Sequence, residues 1–192
     1  MLAPLFAIQF LSWGAMFCLW VYALPVIGRI AGDTQHALLI VSGCFALYAL
    51  LATVFAFALP RLIVRFGAGR VHGFGLLIGA VGLAVLGLTQ VPLLLVPAFI
   101  AIAVAWSCMA NIPYALAGAA APEGRGAHTL RLFGFSTVAP QIVVSLCLAI
   151  GASWLFGDSI GRVMLLGSAM MAAGGLLALA LARRLDVPIG DW

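Results

Sequence analysis

Met164-Leu165-Leu166-Gly167-Ser168-Ala169-Met170-Met171-Ala172-Ala173-Gly174-Gly175-Leu176-Leu177-Ala178-Leu179-Ala180-Leu181-Ala182 carries no charge from end to end, between Arg162 on one side and Arg183-Arg184 on the other. As a helix the run reaches about 28 Å, close to the ~30 Å hydrocarbon thickness of a bilayer. Lipid offers no partner to a bare N–H or C=O, so only a helix or a closed barrel can cross it. A barrel strand alternates polar and apolar residues, and neither this run nor Leu76–Ala84 does so. The run is a membrane helix.

Working outward, similar runs occur at about 4–28, 37–59, 72–90, 92–119, 131–155 and 160–182. The chain is 66% hydrophobic and only 7% charged, with a mean hydropathy of +1.25. A soluble domain carries roughly 25% charged residues. The expected fold class is therefore an all-α integral membrane protein, a bundle of six transmembrane helices with residues 1–192 as one membrane domain. Loops are expected at 28–36, 89–92 and 156–159 on one side, and at 60–71 and 121–129 on the other. The opening segment lacks a basic n-region and is longer than the apolar core of a cleaved signal peptide.

The nine basic side chains are all arginine, and their distribution sets an orientation. Arg61, Arg65, Arg70, Arg125, Arg131, Arg183 and Arg184 fall on one side, and only Arg29 and Arg162 on the other. The positive-inside rule then puts both termini in the cytoplasm. Charge used in this way sets topology, so no nucleic-acid partner is expected. Cys18, Cys44, Cys108 and Cys147 lie within spans and form no CxxC or Cys/His cluster. No metal and no cofactor are expected. Abundant Ala, Gly and Arg without Lys points to a GC-rich bacterial genome, hence an inner membrane.

Three stretches carry a family resemblance. Pro60-Arg61-Leu62-Ile63-Val64-Arg65-Phe66-Gly67-Ala68-Gly69-Arg70 resembles the cytoplasmic loop between the second and third helices of a major facilitator half, roughly G-x-x-x-D-R-x-G-R-R. Arg65 and Gly67 match, and Arg70 stands in for the displaced basic positions. Val64 occupies the place of the usual acid, and Ala68-Gly69 replace the basic pair. Gln9-Phe10-Leu11-Ser12-Trp13, continuing to Leu19-Trp20-Val21-Tyr22, is similar to the seventh helix of sucrose/maltose-type sugar:proton symporters in that superfamily. Asn111-Ile112-Pro113-Tyr114-Ala115-Leu116, followed by Ala121-Pro122-Glu123-Gly124-Arg125-Gly126, resembles their tenth helix and the loop after it, and Pro140-Gln141 also fits. Beyond Gly126 the pattern departs at Arg131 and Gly134.

The resemblance implies the C-terminal six-helix half of a twelve-helix transporter, moving a mono- or disaccharide by proton-coupled alternating access. It implies a cytoplasmic gate loop at Arg65, Gly67 and Arg70, and a second six-helix half or a second copy as partner. Spans 1–3 and 4–6 would be inverted repeats. The chain opens with Met directly at the first span, so a split or incomplete carrier is expected.

Helical geometry adds an independent argument. At about 100° per residue, Gln9, Trp13, Met16 and Trp20 share one face of the first span. An amide beside indoles suits a sugar, whose hydroxyls seek hydrogen bonds and whose C–H faces seek an aromatic platform. The plainer alternative makes Trp20 an interfacial anchor and Trp13 a packing residue. Ser107, Asn111 and Tyr114 share a face of the fourth span, and Pro113 frees a backbone carbonyl one turn earlier. Thr137, Gln141 and Ser145 form a similar stripe on the fifth. These amides either line a cavity or bond a neighbouring helix. The candidate substrate-binding set is Gln9, Trp13, Trp20, Ser107, Asn111, Tyr114 and Gln141. Gly75, Gly79 and Gly82 read as close helix packing, and Trp154 as an aromatic-belt anchor.

No acid or base stands in the middle of a span, and His36, His72 and His128 are expected at loops or span ends. A coupling group would then belong to the missing half. A six-helix membrane enzyme is the less favoured class, since H-E-x-x-H is missing from the sequence and no histidine is expected at membrane depth. A non-transporting membrane partner or a truncated remnant stays open.

Overall fold

The computed structural model describes residues 2–156 and 159–186, and all its regular elements are helical. Six helices are long and apolar enough to cross a membrane, as an integral membrane protein requires. They are α1 (Leu2–Ala31), α2 (Thr34–Phe66), α3 (Ala68–Leu88), α4 (Leu95–Ala119, entered through a 3-10 turn at Pro92–Leu94), α5 (Gly126–Phe156) and α6 (Gly161–Ala180). A single turn, α7 (Ala182–Leu185), follows α6. The side chain of Trp154 lies outside the described residues.

The helices outrun the apolar stretches that announced them. The expected loop at 60–71 shrinks to one residue, because α2 continues through Pro60 to Phe66 and α3 starts at Ala68. Gly67 makes the turn alone at φ +87°, a left-handed value that favours glycine, and its N–H donates to the Ile63 carbonyl at 2.8 Å. The expected connection at 28–36 likewise contracts to Gly32 and Asp33.

Asp33 starts α2 as a side-chain cap, accepting the His36 backbone N–H at 2.9 Å and pairing with the His36 ring. The His36 N–H first, and then its imidazole, hold the Asp33 carboxyl below the usual carboxylate range. The sign follows: the cap contributes fully above the unfolded value near ~3.9 and is lost as pH falls through the lower folded one. Asp33→Ala is therefore expected to speed amide exchange at His36 at neutral pH, whereas the native cap frays only in acid below about pH 4. Equal exchange in both proteins at pH 7 would remove the cap's role.

Glycines set the tightest seam. Gly73 faces Gly175 and Gly87 faces Gly161, so that a Cβ on any of the four would stand 2.3–2.9 Å from the opposite backbone carbonyl. Fourteen residues separate the two pairs on each helix, about 21 Å. Helices α3 and α6 therefore touch backbone to backbone at two well-separated points. The expected packing glycines Gly75, Gly79 and Gly82 do pack, against Cys108, Ala105 and Ala98 of α4.

Most helix contacts exchange in pairs, although the α2–α3 and α1–α3 contacts have no comparable α5–α6 or α4–α6 counterpart among the described residues. α1 packs on α6 as α3 packs on α4; α1 meets α5 as α4 meets α2; α1–α2 corresponds to α4–α5. The α3–α6 and α1–α4 contacts map onto themselves. The larger contacts are thus kept when the first three helices are exchanged for the last three. Because successive helices alternate in direction, the two sets of three have opposite orientation. α2 and α5 occupy equivalent positions and are the least buried of the six.

Candidate functional site

The site lies between α2 and α4, and matched spacing builds it. Helix α2 contributes Tyr48, Ala49, Ala52, Thr53 and Ala56, while α4 contributes Trp106, Ser107, Ala110 and Asn111. Steps of one and four residues keep each set on one helical face. Four of these residues are alanines, and their small side chains leave a cavity of about 320 Å³. A smaller cavity of about 160 Å³ adjoins along Ala56 and Asn111.

The cavity offers several hydrogen-bonding groups. Asn111 Nδ2 donates to the Ser107 carbonyl at 2.7 Å, leaving the amide oxygen to accept from a ligand. The hydroxyls of Ser107 and Tyr48 are buried without a hydrogen-bond partner among the described residues. Pro60 cannot donate to the Ala56 carbonyl one turn earlier, so that carbonyl loses its usual helical partner.

Aromatic rings close one end. Trp13, Trp20 and Trp106 stack edge to face in a triangle, with ring centroids 5.7 Å apart for Trp13–Trp20 and 5.4 Å for each to Trp106. Tyr48 approaches Trp106 at 6.1 Å. Trp106 thus joins the cavity to the indoles of α1. Neither Trp106 nor Tyr48 stood among the candidates read from the sequence, although Trp106 directly precedes Ser107.

The other candidates sit elsewhere. Gln9 is fully buried at the α1–α4 seam, where its Nε2 donates to the Met109 carbonyl at 3.3 Å. Met109 is the residue whose carbonyl Pro113 leaves without a helical donor. Gln9 is thereby a link between helices, with Ser12 donating in turn to the Gln9 carbonyl at 3.1 Å. Tyr114 turns to α5 and packs edge-on against Phe133 at 5.3 Å. Gln141 is half-buried on α5, outside the cavity lining, and the stripe hydroxyls of Thr137 and Ser145 bond carbonyls of their own helix. Arg65 and Arg70 are exposed beside the Gly67 turn, the Arg65 guanidinium lying 5.1 Å from the Phe66 ring centroid.

All three histidines lie near helix ends, and one of them is buried. His36 and His128 are exposed in the first turns of α2 and α5, but His72 lies one turn inside α3, fully buried. Neither ring nitrogen has a hydrogen-bond partner among the described residues. A buried polar group left unsatisfied costs about 1–3 kcal/mol. His72→Leu is expected to hold or raise the thermal midpoint in detergent, and His72→Ala to lower it by opening a void. A loss with leucine equal to that with alanine would mean that the imidazole itself is needed.

Comparison with protein-family models, with curated proteins and with solved structures gives no match.

Proposed function

We propose that the chain is a six-helix half of a major facilitator carrier that moves a sugar by proton-coupled alternating access. The observation that carries this reading is the paired exchange of helix contacts, since inverted three-helix repeats are how such carriers are built. The substrate class rests on the α2–α4 cavity. Its volume of about 320 Å³ falls at the low end of the ~300–1,000 Å³ typical of ligand sites, which suits a single sugar ring. The Trp106 indole would receive a C–H face, while the Asn111 amide would bond a hydroxyl. Among the described lining residues no base stands beside the hydroxyls to activate them, which favours a carrier over an enzyme.

Trp13 and Trp20 would brace Trp106, and Gln9 would hold α1 against α4. α2 and α5, the least buried helices, would meet the second six-helix half or a second copy of this chain. The arginine-rich end would face the cytoplasm of a bacterial inner membrane, with both termini there and with Arg65, Gly67 and Arg70 at the gate.

The test is uptake of radiolabelled glucose, sucrose and maltose into proteoliposomes under an inward proton gradient. The chain is assayed alone and then co-reconstituted with the N-terminal half of a full-length sugar symporter. Uptake that appears only with the added half is expected. Silence in both, from folded protein, would leave the non-transporting partner as the better reading.

A further inference from the structure

Although Gly67 alone joins α2 to α3, the two helices diverge at once, α2 leaning on α4 and α1 and α3 on α4 and α6. Between them lies a groove of about 420 Å³, backed by Val104 and Cys108 of α4. Its walls are apolar, and Phe66, Phe74 and Ile78 are exposed along it. Gly75 gives it depth, because a Cβ there would strike the Cys108 sulfur.

Arg70 is the one charged residue in the lining, in the first turn of α3 at the arginine-rich end. It is exposed and has no ion pair among the described residues. A second cation stands at the same mouth, since Arg65 lies over Phe66, another lining residue. Apolar depth with cations at headgroup level matches a lipid with a negative head. A packed helix is a poor occupant, because one ~10 Å wide fills such a volume in about a single turn.

We propose that this groove binds one acyl chain of an anionic phospholipid, with the lipid phosphate on Arg70 and Arg65 beside it. Empty, the groove would forfeit the dispersion contacts that a chain supplies. The site stands apart from the α2–α4 cavity and does not depend on any transported substrate.

Native mass spectrometry of the full chain in detergent tests it, with titration by phosphatidylglycerol and by phosphatidylcholine of equal acyl length. One retained phosphatidylglycerol is expected, favoured over phosphatidylcholine by roughly fivefold for each arginine engaged. Arg70→Gln is expected to lower that preference about fivefold while keeping the bound lipid. Ile78→Trp, which fills the groove, is expected to lose both lipids. Val81→Trp, on an exposed part of α3 outside the lining, should retain them. Equal retention of the two lipids by the native chain would overturn the proposal. So would full retention by Ile78→Trp, or displacement of the lipid by millimolar inorganic phosphate.

Discussion

Gly161→Val is expected to prevent the six-helix bundle from closing, with a loss of at least about 3 kcal/mol. A Cβ at Gly161 would stand 2.3 Å from the Gly87 carbonyl and 3.0 Å from an Arg29 guanidinium nitrogen. The guanidinium can swing away, but the carbonyl belongs to the backbone of α3. That helix is held again fourteen residues earlier, where Gly73 meets Gly175. Relief at one end therefore has to tilt or slide the whole helix, and α3 also carries α4 on its Gly75–Gly79–Gly82 face. Membrane helices associate through packing rather than water exclusion, so a lifted backbone contact is not recovered by burial elsewhere. Gly43→Val and Gly134→Val are the comparisons, since nothing lies within 4 Å of a Cβ at either position. The measurement is monodisperse yield and thermal midpoint in detergent. If Gly161→Val behaves as Gly134→Val does, the α3–α6 seam is not what holds the bundle.

The six spans were legible because membrane hydropathy is a one-dimensional signal that needs no knowledge of neighbours. Helix ends were less so: Pro60 and three arginines read as a loop, yet α2 runs through Pro60 and the chain turns only at Gly67. The i, i+7 spacing of Trp13 and Trp20 put them on one face, and their rings do meet. Their third member could not be read, because Trp106 comes from another helix and local periodicity does not say which helices touch. The same limit applied to Gln9. Sequence showed that Pro113 frees a carbonyl, but not that the amide of Gln9 crosses from α1 to take it. The glycine pairs of α3 and α6 escaped for a related reason. Gly73 and Gly87 are fourteen residues apart, as are Gly161 and Gly175, and their meaning lies in the pairing between helices.

In the reconstituted two-half carrier, Trp106→Ala is expected to reduce sugar uptake at least 100-fold, and Asn111→Ala about tenfold. Trp106 makes edge contacts with Trp13 and Trp20 and a tilted one with Tyr48, so its removal dissolves the aromatic end of the cavity as well as the platform for the sugar ring. A 100-fold loss corresponds to about 2.7 kcal/mol, which the lost sugar–indole contact and the opened aromatic end supply together. Trp106→Phe keeps a face but not the indole's reach, and should fall between the two. Asn111 offers one amide to the ligand, worth about 1.4 kcal/mol as a hydrogen bond. Gln141→Ala and Tyr114→Phe should cost less than threefold, because neither residue lines the cavity and Tyr114 acts through its ring on Phe133. Gln9→Ala separates the two roles. It should lower the thermal midpoint by leaving the Met109 carbonyl unpaired, with KM for the sugar nearly unchanged in protein that stays folded. A larger uptake loss from Gln141→Ala than from Asn111→Ala would move the substrate site away from the α2–α4 cavity and onto the polar stripe of α5.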